Sequence, residues 1–156
     1  MRYLIVDAYN IICATPHLRQ LMATDLDSSR DLLAETIRSI HDVEGIRTAI
    51  VLDSKKSGLS VSHPFGAETF EFIYAPADVS ADGVIERIVA RLPSGWEATV
   101  VSNDRMIRES IRTNGGVALR PEELFEWAEG CDRRLRADTL RRQKTTRNAF
   151  RNGIEL

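Results

Sequence analysis

Cysteine is nearly missing: Cys13 and Cys131 are the two in 156 residues, far apart and in no CxxC or Cys/His pairing. A disulfide scaffold, a zinc site and a redox pair are thereby excluded, and reduced thiols are expected. Long apolar runs are also missing, since stretches such as Ala49–Leu52 fall far below the roughly 18 residues of a membrane span. Met1-Arg2 leads directly into a strand-like run without a signal-peptide pattern, so a cytoplasmic location is expected. Neither G-x-G-x-x-G nor G-x-x-x-x-G-K-S/T occurs, which removes nucleotide cradling by a glycine loop. Position 9 is Tyr9, so the Asp-x-Asp pair of haloacid-dehalogenase-type phosphatases is absent. His17, His41 and His63 share no ligand spacing and no G-x-S-x-G accompanies them. That argues against a hydrolytic triad and leaves each as a surface or loop histidine.

What remains is a chain with 43% hydrophobic and 28% charged residues, long enough for one domain with one core. Its net charge of −2 argues by itself against a nucleic-acid partner, yet the charge is unevenly spread. Residues 132–156 hold eight basic groups against three acidic ones, net +5, which leaves −7 for residues 1–131. A basic tail behind an acidic body fits a polyanion held by the tail and met by the body through metal ions. A solvated, arginine-rich final helix would carry the same charge pattern.

Tyr3–Val6, Thr48–Leu52 and Ala98–Val101 are short apolar runs of buried parallel-strand type, ending at Asp7, at Asp53 and just before Ser102-Asn103-Asp104. Asp27-Ser28-Ser29 can cap a helix with the stripe Leu33, Ile37 and Ile40, closed by Gly45. Glu68–Tyr74 alternates as a strand, and Ser80 caps a helix running to about Leu92. Asn103 or Asp104 opens another helix, Val117–Leu119 is a short strand, and Pro121-Glu122-Glu123 starts a helix leading into the basic end. Ser54–Gly66 is the one long polar loop. Strands alternating with helices, without internal repeats, predict an α/β fold: an open parallel sheet with helices on both faces.

In such sheets ligands bind beyond the carboxyl ends of the strands. Asp7, Asp53 and Asp104 all occupy that position, although an Asp after a strand also serves as the N-cap of the next helix. Three carboxylates gathered at one rim repel each other and call for a cation. Oxygen donors without thiolate or imidazole select a hard ion, Mg²⁺ or Mn²⁺. Asp82 and Glu86 lie on one helical face that can reach the same rim, or are a solvated pair. Asn10 offers an amide to position Asp7 or simply completes a turn, and Tyr9 either stacks on a base or, the favoured reading, packs in the core. Lys55 and Lys56, with Arg105, Arg108 and Arg112 beside Asp104, are candidate phosphate contacts or plain solvated charges, and Phe65 is a second candidate for stacking.

Taken in order, Tyr3-Leu4-Ile5-Val6-Asp7-Ala8-Tyr9-Asn10-Ile11-Ile12, Val51-Leu52-Asp53, Ala81-Asp82-Gly83-Val84-Ile85-Glu86 and Val100-Val101-Ser102-Asn103-Asp104 resemble a YacP-like member of the NYN family, within the PIN-like nuclease superfamily. The opening resembles that family's "VDGYNII", the match covers roughly residues 1–130, and the basic end Arg141-Arg142-Gln143-Lys144 is similar to its basic terminus. The resemblance implies a three-layer PIN-like fold over residues 1–130, a basic helical tail over 131–156, and metal-dependent cleavage of RNA. It carries the acidic metal site to Asp7, Asp53, Asp82 and Asp104, with Asn10 and Glu86 in support. Ala8 departs from the family's glycine and Cys13 from a frequent histidine.

The leading expectation is therefore an endoribonuclease using Mg²⁺ or Mn²⁺ on single-stranded RNA, free or ribosome-associated, with Lys55, Lys56, Arg105, Arg108, Arg141, Arg142 and Lys144 on the RNA. One rival is a non-catalytic RNA- or ribosome-binding module of the same fold, supported by Ala8. Another is a phosphomonoesterase or similar metal hydrolase, which needs the carboxylates but not the tail.

Overall fold

The computed structural model describes the backbone of residues 1–155 and the side chains of residues 1–147. A six-stranded sheet runs in the order β3-β4-β2-β1-β5-β6. Its strands are β1 (Arg2–Asp7), β2 (Arg47–Asp53), β3 (Ser60–Ser62), β4 (Phe70–Ala75), β5 (Glu97–Val101) and β6 (Val117–Leu119). All neighbours pair in parallel except β3, which lies antiparallel on the outer edge of β4. The helices are α1 (Ala8–Ala14), α2 (Pro16–Thr24), α3 (Leu26–Glu44), α4 (Ala81–Ala90), α5 (Arg105–Thr113) and α6 (Pro121–Glu155).

Alternation along each strand divides the core. Leu4, Val6, Ile50 and Phe72 face α1, α2, α3 and α6, whereas Tyr3, Ile5, Val51 and Ile73 face α4 and α5. Strands buried on both faces need apolar residues at nearly every position, which is why β1 and β2 read as unbroken runs. Glu71 is the exception in β4: it is buried, and accepts from Tyr3 Oη at 2.9 Å and Arg47 Nη2 at 2.8 Å.

Several boundaries differ from the sequence reading. Helix α3 starts earlier, because Asp25 rather than Asp27 or Ser28 is its cap and accepts from Asp27 N at 3.0 Å. Its other end closes at Gly45, whose φ of 60° is the left-handed turn that glycine enters without strain. The polar loop 54–66 contains β3, so the sheet is mixed at one edge. Residues 8–24 form two short helices that meet at Thr15 and Pro16. Their combined apolar stripe is too brief to register as a period. His41 is not a loop residue but sits on α3, edge-on to the Phe70 ring at 5.5 Å.

Helix α6 is continuous across residue 130. Its first part buries Leu124, Ala128 and Cys131 against α3, with Ser39 Oγ donating to the Ala128 carbonyl at 3.0 Å. From Arg136 to Arg147 every residue is exposed. Arg151 lies outside the described side chains. Among the described residues, no helix is long and apolar enough to cross a membrane.

Candidate active site

Strand order reverses around β1: the chain builds outward to β2 and β4 on one side, then returns to β5 and β6 on the other. The crevice beyond β1 and β5 is thus the natural ligand position of this sheet. Asp7 ends β1 there and is 2% exposed. Its Oδ2 accepts from Asn10 Nδ2 at 2.8 Å, one turn into α1, and from Ser102 Oγ at 3.2 Å, just past β5. Burial, then the charge of Asp82, push the Asp7 carboxyl up to about 6, against the opposing pull of Asn10 and Ser102.

Asp82 lies in the first turn of α4, where the helix N-terminus favours a negative charge. The two carboxyls act on each other, the charge of Asp82 being the second cause of the rise at Asp7. Desolvation raises the Asp82 carboxyl, and the charges of Asp104 and Asp53 raise it further. Asp53 ends β2 exposed, with Oδ1 accepting from Ala81 N at 3.0 Å. Asp104 caps α5, with Oδ1 accepting from Met106 N at 2.9 Å. Asp104 therefore performs the helix-capping role open to it in the sequence, whereas α4 is capped by Ser80, whose Oγ accepts from Gly83 N at 3.1 Å, and Asp53 adds a bond to its first residue; both Asp53 and Asp104 still act electrostatically on Asp82.

Four carboxylates thus influence one another, and among the described residues none of them takes part in an ion pair. Neither does any group of three or more His, Cys, Asp or Glu side chains there form a finished ligand array. What fits a hard divalent cation is the oxygen-only donor set and its uncompensated charge. Glu86 stands exposed one turn beyond Asp82, outside the hydrogen bonds of this cluster.

The basic candidates divide. Lys55 and Lys56 are exposed on the loop after β2, where the Lys56 carbonyl accepts from Ala77 N at 2.9 Å and holds that loop to the end of β4. Arg105 is exposed and paired with Glu109 at 2.9 Å. Arg108 turns inward and donates to the Ser102 carbonyl at 3.0 Å, and Arg112 donates to the Ala118 carbonyl at 3.2 Å. Arg141 pairs with Asp138 at 3.0 Å on the exposed part of α6, where Arg142 and Lys144 also lie.

Two residues stand differently from the sequence reading. Tyr9 is 55% exposed rather than packed in the core, because α1 begins at Ala8 and turns its next residue outward beside Cys13 and Asp53. Ser102 is fully buried; its Oγ donates to Asp7 and accepts from Asp104 N at 3.1 Å. The signal for it was a lone hydroxyl at the strand end facing Asp7. Phe65 packs on Phe70 at 4.9 Å, at the start of β4 and away from the carboxylates. Ala8 is helical and buried, and among the described residues positive φ occurs only at glycines, so its Cβ is accommodated.

Comparison with known proteins bears on the family and the fold. The profile of the YacP-like NYN domain matches residues 4–155. The uncharacterized protein YacP of Bacillus subtilis (strain 168) is 27% identical over 137 residues, 86% of this chain and 79% of that one. The crystal structure of Rae1 (YacP) from Bacillus subtilis superposes with a TM-score of 0.75 at 24% identity, covering 99% of this chain and 88% of that chain. A variant of that protein gives the same score and identity over 92% and 85%. At that identity the superposition speaks for the fold, and the profile for the family. With a mostly parallel sheet carrying its acids at the strand ends, the chain belongs to the YacP-like NYN domain family and has its PIN-like nuclease fold.

Proposed function

We propose that the protein is a metal-dependent endoribonuclease whose site is Asp7, Asp53, Asp82 and Asp104. The observation that carries this reading is the burial of Asp7 beside Asp82, in the field of Asp53 and Asp104, with no cationic side chain among the described residues paired to any of the four. Such an arrangement is unfavourable for the folded chain alone and is relieved by a divalent cation. Bound there, Mg²⁺ or Mn²⁺ supplies Lewis acidity at the phosphate and lowers the pKa of water.

The chain's own residues do the rest. Asn10 and Ser102 fix the direction of the Asp7 carboxylate, and Arg108 fixes Ser102. Lys55 and Lys56 meet phosphates of a single-stranded RNA near the rim, Arg105 contacts the backbone beside Asp104, and Glu86 lends outer negative charge. Arg141, Arg142 and Lys144 hold RNA, free or on a ribosome, along α6. The protein acts in the cytoplasm. Because water attacks and the 2′-hydroxyl takes no part, products carry 5′-phosphate and 3′-hydroxyl ends.

The test is purified protein on 5′-labelled single-stranded RNA with Mg²⁺, Mn²⁺ or EDTA, beside Asp7→Asn and Asp104→Asn. Metal-dependent fragments lost in both variants support the reading. RNA retention without cleavage by the wild type would replace it with the binding module.

A further inference from the structure

Between α4 and the outer edge of the sheet lies a cavity of about 540 Å³ that none of the four carboxylates lines. Ile73, Val84, Ile88 and Leu92 make it apolar, and Leu59 and Val61 close its outer side. Val61 pairs with Ile73 across β3 and β4, so both side chains point to the α4 face. The acid on its lining, Glu71, is already engaged by Tyr3 and Arg47.

Residues 1–131 carry a net charge of −7, and most of their basic side chains are bound to carboxylates or carbonyls. Among the described residues, the side chains of Arg19, Lys55, Lys56, Arg87 and Arg91 make neither an ion pair nor a hydrogen bond. Arg87 and Arg91 line this cavity. Lys55 and Lys56 precede Leu59 on one loop, and the Lys56 carbonyl accepts from Ala77 N, next to the lining residue Pro76. All but Arg19 thus gather along one groove of an otherwise acidic body. The C-terminal end of a helix favours cations by itself. It gives no reason for Leu59 and Val61 to stand opposite them at 56% and 45% exposure.

Two unpaired guanidiniums above an apolar floor suit a ligand that is anionic along one side and apolar along the other. A single RNA strand has that form, with charged phosphates on its backbone and unstacked bases beside it. Arg87 and Arg91 are one helical turn apart, with Cβ atoms about 5–6 Å from each other, so their long arms can meet neighbouring phosphates of one strand. The groove also reaches the right end of the sheet. Pro76 follows Ala75, which pairs with Asp53 at the carboxylate rim. We infer that the groove between α4 and β3 is the path of the RNA strand away from the carboxylates, with phosphates on Arg87 and Arg91 and unpaired bases over Leu59 and Val61. That the strand is RNA rests on the proposed nuclease function.

The test is equilibrium binding of a labelled oligouridylate in EDTA over a salt series, to wild type, Arg87→Ala/Arg91→Ala, Leu59→Ser and Arg19→Ala. Each lost phosphate contact lowers the slope of log affinity against log salt by about 0.7, so the double variant should be shallower by about 1.4. Leu59→Ser should bind roughly threefold more weakly with the slope unchanged. Arg19→Ala removes an unpaired cation from α2 on the opposite face and should match the wild type. All variants should melt within about 2 °C of it, since the side chains changed are exposed. An unchanged slope in the double variant, the same change in Arg19→Ala, or no effect of Leu59→Ser would overturn the path. An oligoglutamate of equal charge displacing the RNA as well as unlabelled RNA does would assign the groove to an acidic protein segment instead. Metal-dependent cleavage by the wild type with an unchanged slope removes the path and leaves the nuclease; a shallower slope without cleavage does the reverse.

Discussion

Replacing Asp7 by Asn should make the folded protein more stable at neutral pH. The Asp7 carboxyl lies at about 6 in the folded chain against 3.8 unperturbed, with burial as the first cause and Asp82 as the second. A raised folded-state pKa means that the native state binds the proton more tightly, so this group supports folding below pH 4 and loses that contribution as pH rises through 6. Two units correspond to about 3 kcal/mol. Asparagine resembles the protonated acid and still accepts from Asn10 and Ser102, so Asp7→Asn should gain about 2–3 kcal/mol at pH 8 and nearly nothing at pH 4. Urea denaturation in EDTA at both pH values measures the difference, and the pH 8 melting temperature should rise by roughly 5–10 °C. A variant less stable than wild type at pH 8, or equally shifted at both pH values, would show that Asp7 is not held under electrostatic tension. If the nuclease reading is right, millimolar Mg²⁺ narrows the gap by stabilising only the wild type.

Other consequences can be checked by similar means. Ser102→Ala removes the hydroxyl that serves both Asp7 and Asp104, and should cost about 1–2 kcal/mol in urea unfolding with an unchanged m-value. Glu71→Ala leaves Tyr3 and Arg47 without their buried acceptor, in a place where Arg47 Nε already lacks a partner. With Arg47 40% exposed the loss should be about 2–3 kcal/mol, below that of a fully buried pair. Gly116→Ala puts a Cβ 2.8 Å from Ile111 Cγ2 at the end of α5, and thermal melting should register a loss of about 1–3 kcal/mol. Truncation after Ala137 removes exposed helix and should leave the melting temperature within about 2 °C, while flattening the salt dependence of RNA binding.

The layered fold was legible because β1, β2 and β5 announce themselves as apolar runs, and the strand-end positions of Asp7, Asp53 and Asp104 follow from them. The cap at Asp25 was obscured by Leu26, which is 52% exposed and so outside the apolar stripe that marks α3. Tyr9 was misjudged because an aromatic beside a strand usually turns inward, whereas here a helix starts at once. Nothing in the alternation of β4 marks Glu71 as buried; its burial depends on Tyr3 and Arg47, partners far away in sequence. Pairings of that kind, like the joint service of Ser102 to Asp7 and Asp104, arise only when the sheet assembles. No local pattern encodes them.

The single hydroxyl of Ser102 has a mechanical corollary. It bonds the innermost acid and the capping turn of α5 at once, and Arg108, itself on α5, holds its carbonyl from the other side. Asp7 therefore cannot swivel without disturbing the start of α5, and α5 cannot slide without loosening Asp7. The outer surface of that helix carries Met106 at 78% exposure and Arg105 in solvent. Whatever grips that surface has its hand on a lever whose short arm ends at the acid.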